Sequence, residues 1–139
     1  ISAISRQGHC EFMCYREAMS QQLLIEFLGR LIKSYDRKIF LILDNLKVHH
    51  GKIVEEWVAE RKNQIELFFF PSYSPRLNPD EYMNKILKKN VYSGDMPHTE
   101  KQLENKTKNF MNCISHQPEK ISNLFLHEKL FFMESSFVA

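Results

Sequence analysis

Apolar positions along this chain change their period several times, and each change predicts an element. Residues 1–5 read as a short strand ending at a turn near Gly8, and residues 10–15 as its hairpin partner. From Leu23 the spacing becomes helical. Leu23, Leu24, Phe27, Leu28, Leu31 and Ile32 share one side, Glu26, Arg30 and Lys33 lie opposite, and Ser20 suits the N-cap. The run Ile39-Phe40-Leu41-Ile42-Leu43 does not alternate, which predicts a strand buried on both faces, ending at Asp44-Asn45. A second amphipathic helix follows, with Ile53, Val54, Trp57 and Val58 inward. Residues 65–70, apolar but for Glu66, predict another buried strand that ends at Pro71.

A turn-rich stretch over residues 72–76 leads to Asn78-Pro79, a cap and first-turn pair that opens a third helix. Thr99 with Gln102 makes a capping-box pattern, after which Leu103, Thr107, Phe110, Met111 and Ile114 keep the helical period. Pro118 opens one more helix, with Ile121, Leu124 and Phe125 inward. The last dozen residues carry no readable pattern. Buried strands alternating with helices predict an α/β layered domain, and the leading hairpin makes its sheet mixed rather than purely parallel.

A length of 139 residues suits one domain spanning 1–139. Apolar residues at 43% and charged residues at 26% exclude a disordered tail or a fibre. No apolar run approaches the roughly 20 residues of a membrane helix. The first six residues lack the order of a secretory signal, so the cytoplasm is the expected compartment. Cys10, Cys14 and Cys113 are too few and too unpaired for a disulfide framework. Cys10 and Cys14 read as buried thiols rather than half a zinc site. The net charge of +2 says little about partners. The chain begins with Ile rather than Met, which leads us to expect further sequence upstream.

Candidate chemistry concentrates at two acids. Asp44 follows the most apolar strand directly, where α/β sheets gather ligands, and a carboxylate there suits Mg²⁺. Asp44-Asn45 also reads as a plain strand-ending turn. Glu81 lies in the first turn of a helix, where an acid can bind a metal or merely cap the helix and meet its dipole, and Asp80 shares the dipole reading. Lys85 and Lys88 continue the face of Glu81 with Lys89 beside them, either to meet phosphate or to form an ordinary ion-paired surface. Tyr82, Met83, Ile86 and Leu87 are expected on the buried side. His49 and His50 are candidates for phosphate contact or loop ordering, and Tyr73 and Arg76 for DNA contact. Trp57 reads as core.

Taken together, Leu43-Asp44-Asn45 with His49-His50, then Phe70-Pro71-Ser72-Tyr73-Ser74-Pro75, then Leu77-Asn78-Pro79-Asp80-Glu81 resemble the catalytic domain of bacterial insertion-sequence transposases of the Tc/mariner superfamily. The 36 residues between Asp44 and Glu81 are close to that group's spacing, and the likeness runs over roughly residues 1–127. The resemblance implies a ribonuclease-H-like fold, with Asp44 as the second catalytic, metal-binding acid and Glu81 as the third. Asp80 would be a neighbour and not a ligand. It implies Mg²⁺, or Mn²⁺, as cofactor, with two ions about 3.5–4 Å apart in a phosphoryl transfer. It also implies insertion-sequence ends and target DNA as partners, a homodimer in a synaptic complex, and no membrane role.

The family's first catalytic Asp, on its first and central strand, has no match in this chain. Ile1 already aligns with the second strand, and the helix-turn-helix domain has no counterpart either. The expectation is therefore a sheet lacking its central strand, which folds poorly alone or closes up differently, and a chain inactive by itself. A non-catalytic DNA-binding or regulatory remnant of a transposase is a second reading. A third is an interaction module whose acids only cap and turn.

Overall fold

The computed structural model describes residues 1–71, 77–126 and 137–138. Its order is β1 (Ser2–Ser5), β2 (Cys10–Phe12), α1 (Gln21–Lys33), β3 (Ile39–Leu43), a 3₁₀ turn (Lys47–His50), α2 (Lys52–Ala59), β4 (Ile65–Phe69), α3 (Pro79–Val91), α4 (Glu100–Ser115), α5 (Pro118–Asn123) and β5 (Phe137–Val138). The strands form one mixed sheet in the order β2-β1-β5-β3-β4. β1 and β2 make the antiparallel hairpin, turning at Gly8, whose φ of 87° lies in the region open to glycine. β3 and β4 pair in parallel from Ile39–Ile65 to Leu43–Phe69.

β5 holds the centre. It runs antiparallel to β1 through Ile4–Val138 and Ser5–Phe137, and parallel to β3 through Leu41–Phe137 and Ile42–Val138. The expected sheet left open between β1 and β3 is not what the described strands show. The flanking strands are joined, because the last strand of the chain lies between them.

Helices cover both faces. On one face α1 and α2 bring Leu24, Phe27, Leu28, Leu31 and Val54 onto Ile39, Leu41, Leu43 and Ile65. On the other, Met83 of α3, Met111 and Ile114 of α4, Ile121 and Phe125 meet Ile4, Val138 and Ile42. The caps form as read. Ser20 accepts from the Leu23 amide, Asn78 from Asp80 and Thr99 from Gln102. The Gln102 side chain reaches back to the His98 amide, one residue before the cap.

Several burial expectations need correction. β3 is not buried on both faces: Phe40 is 40% exposed, and Phe68 beside it on β4 is 45% exposed. β4 is the sheet edge, so α3–α5 reach across the centre but leave this corner open. Ile53 and Ile86 face water because α2 and α3 each bury a narrower stripe than their apolar content allows. Cys10 and Cys14 are only partly buried, and Cys113 is exposed. Trp57 is partly buried under the Arg61 guanidinium, 4.2 Å from its ring centre. Among the described residues no helix is long and apolar enough to cross a membrane.

Candidate functional site

Asp44 leaves β3 at its carboxyl end, one residue past the rung where the Phe70 amide donates to the Leu43 carbonyl. The 3₁₀ turn that follows folds His49 back beneath it. His49 is buried, and its Nδ1 lies 2.9 Å from the Asp44 backbone carbonyl and 2.9 Å from Asp44 Oδ1. One ring N–H cannot satisfy both. Directed at the carbonyl, it leaves Oδ1 a buried oxygen in charge contact without a hydrogen bond. Burial opposes the charged form of His49, but its close contacts with the Asp44 carboxylate and carbonyl outweigh that and raise the pKa. The Asp44 side chain as a whole is 44% exposed, so it is open to a ligand from solvent. His50 points elsewhere: its Nε2 meets Asn45 Oδ1 at 2.5 Å and its ring lies 4.0 Å from Phe69.

Glu81 is the third residue of α3 and half-buried. Among the described residues its carboxylate makes no hydrogen bond or ion pair. It does not reach back to the cap, and Lys85, four residues on, lies over the Tyr82 ring instead. Two bland explanations for Glu81 are therefore unrealised here. Lys85, Lys88 and Lys89 are exposed along the helix. Tyr73 and Arg76 lie outside the described residues.

Asp80 is the surprise of the sequence reading. It is buried, accepting from Ser2 Oγ at 2.7 Å and from Asn84 Nδ2 at 3.2 Å. Burial pushes its carboxyl up to about 7, against the Ser2 hydrogen bond, which favours the charged form. The available signal was Asn84 four residues along the same helix face, together with a serine inside an apolar strand.

Register relates these residues. Ile4, Val138 and Ile42 share one rung. Ser2 lies two residues back on β1, and Asp44 two residues on along the β3 direction, so both stand at the same level, about 10 Å apart across two strand spacings. By alternation Ser2 sides with Ile4, which packs on the α3 side of the sheet, and Asp80 meets Ser2 from that side. Asp44 lies one residue beyond β3, and its carboxylate meets His49 of the 3₁₀ turn, which packs against α1 and α2. Among the described residues no three His, Cys, Asp or Glu side chains form a metal-holding group.

Comparison with known proteins adds the following. The DDE superfamily endonuclease family model matches residues 1–104. The chain is 30% identical over 101 residues to the insertion element IS630 uncharacterized 39 kDa protein of Shigella sonnei. That match takes in 71% of this chain but only 29% of the relative. Among solved structures, the catalytic domain of Mos1 mariner transposase matches with a TM-score of 0.60 at 15% identity. The match covers 86% of this chain and 66% of that one, and it establishes a ribonuclease-H-like fold.

Proposed function

Because the chain belongs to the DDE superfamily endonuclease family, as a transposase domain of the Tc/mariner type, we propose that it is the part of a transposase catalytic core in which Asp44 and Glu81 hold a divalent cation against DNA. One observation carries the reading. Asp44 stands level with Ser2, two strand spacings away, and Ser2 is hydrogen-bonded to the residue preceding Glu81.

The donors fit Mg²⁺ or Mn²⁺ in kind. Asp44 offers a buried oxygen lacking a hydrogen bond and an otherwise open side chain, and Glu81 a carboxylate without a described partner. They fall short in number, since no group of three is present among the described residues. When bound, a cation of this kind activates the attacking oxygen and neutralises the leaving one. The chain's own residues do the rest. His49 fixes the Asp44 carboxylate, and the Asp80–Ser2 contact fixes the helix turn that bears Glu81. Lys85, Lys88 and Lys89, with His50, Tyr73 and Arg76, meet the phosphate backbone of element ends and target. A homodimer in a synaptic complex is the matching assembly, and the cytoplasm the matching compartment. The two-acid set also favours a second reading, a DNA-binding or regulatory remnant.

Substoichiometric Mn²⁺ tests the site. It should broaden the Asp44 and Glu81 side-chain carboxyl signals together, and Asp44→Asn should abolish both effects. Separate responses, or none, would remove the cation site. The 139-residue chain alone should not join element ends to target DNA in Mg²⁺. Robust joining would overturn the proposal that two acids are insufficient.

A further inference from the structure

We infer that β5 is a spacer strand whose residues Phe137 and Val138 set the distance between the two halves of the candidate site, with Val138 as the positioning residue. The inference rests on the reading of Asp44 and Glu81 given above, but its structural core is independent of it. The sheet divides into β2-β1 on one side and β3-β4 on the other, and among the described residues only β5 is hydrogen-bonded to both. Asp44 belongs to the β3 half. Asp80, and with it the first turn of α3, is tied to the β1 half through Ser2. Among the described residues β5 is therefore the sheet link that spaces the two halves. Val138 is fully buried, paired to Ile4 and Ile42, and packed with Met83 of α3.

The pairing directions explain why a spacer is needed. β1 runs antiparallel to β5, and β3 parallel to it, so β1 and β3 run antiparallel to each other. With β5 removed they can pair directly, since antiparallel edges are mutually complementary. Ser2 and Asp44 would then move from about two strand spacings to about one, roughly 5 Å. That closes the space a cation and a phosphate would need between the acids. The other outcome is two exposed edges with unpaired backbone groups, which are costly in a buried place. β5 is two residues long, against four for β1 and five for β3, so the hold is short. This strand also lies beyond residues 1–104, the part matched by the family model.

The chain carries its own ruler for the test. Trp57, the single tryptophan, belongs to the β3 half, and Cys113, the exposed cysteine, to the helices over the β1 half. Energy transfer from Trp57 to an acceptor on Cys113, in a Cys10→Ser, Cys14→Ser background, reports the spacing of the halves. Val138→Asp should shift the transfer efficiency, Val138→Thr should keep it, and an added peptide of the sequence ESSFVA should restore it in Val138→Asp. Hydrogen exchange on the intact chain gives a second reading that needs no variant. The amides that β5 holds on β1 and β3 should be protected as well as those between β3 and β4. Unshifted transfer in folded Val138→Asp, or loss of that protection in the intact chain, overturns the inference. Shifted transfer without any Mn²⁺ response in the parent chain leaves the spacer standing and removes the cation site instead.

Discussion

Ser2 Oγ donates to Asp80 Oδ1 at 2.7 Å, joining the first strand to the first turn of a helix 78 residues later. Both partners are buried, so neither has water as an alternative. The contact fixes where α3 begins relative to the sheet, and hence where Glu81 can stand. Ser2→Ala should lower stability by about 1–3 kcal/mol, the range for leaving one buried polar group unsatisfied. Chemical denaturation measures it, and an unchanged midpoint would show that the carboxyl is satisfied in another way.

Asp80 also gives stability a pH dependence. Its folded pKa of about 7 lies above the ordinary 3.8. Between those values the folded chain holds a proton that the unfolded chain has released. Stability from this group is thus fully present below pH 3.8 and is lost as pH rises through about 7. In metal-free protein, Asp80→Asn should flatten the unfolding free energy over that window. A parent profile already flat there would contradict the burial argument.

Asp44 should matter little to stability and much to cation binding. Its side chain is 44% exposed, and its contact with His49 stabilises the fold only while that ring is protonated. Asp44→Asn should therefore change stability by less than about 1 kcal/mol. Added Mg²⁺ should raise the Tm of the parent chain by mass action and leave Asp44→Asn unmoved. An equal rise in both would place the ion elsewhere.

A third acid behaves in the opposite sense to Asp80. Glu104 on α4 meets Lys108 Nζ at 2.5 Å and Arg16 Nη2 at 2.7 Å. The hydrogen bond from Lys108, then that from Arg16, hold its carboxyl down to about 2. The stabilisation is present above pH 4.5 and is lost as pH falls toward about 2. Glu104→Gln should remove that acid-side loss and some of the salt sensitivity of unfolding. Profiles that differ equally at pH 2 and pH 6 would assign Glu104 a packing role instead.

The lysines on α3 make a separate prediction about DNA. Changing Lys85, Lys88 and Lys89 one at a time should weaken binding uniformly across sequences. Each change should reduce the slope of log K against log salt by about 1 if that lysine meets a phosphate. A slope unaffected by all three would move the DNA to another face.

Element type and most boundaries were legible in the linear pattern because they are decided locally. Ser20, Asn78-Pro79 and Thr99 cap where they stand, since a cap needs only its own next two or three amides. The candidate acids were singled out instead by the resemblance that the motifs around Asp44 and Asn78-Pro79-Asp80-Glu81 carry, because position alone left the turn and cap readings open. Burial was less legible. Phe40 and Phe68 look like core in sequence, yet they lie at a corner that no helix reaches.

What the sequence determined alone, then, is the alternation of strands and helices and the helix starts. These depend on contacts within a few residues. Only the tertiary structure decided which strand stands between β1 and β3, that Asp80 is an anchor rather than a bystander, and that Asp44 is level with Ser2. Each of those depends on pairings between residues far apart in the chain, and no local period records them. The last two-residue strand shows the reason: Phe137-Val138 has no pattern of its own, and its place is set by the backbone groups that β1 and β3 leave open.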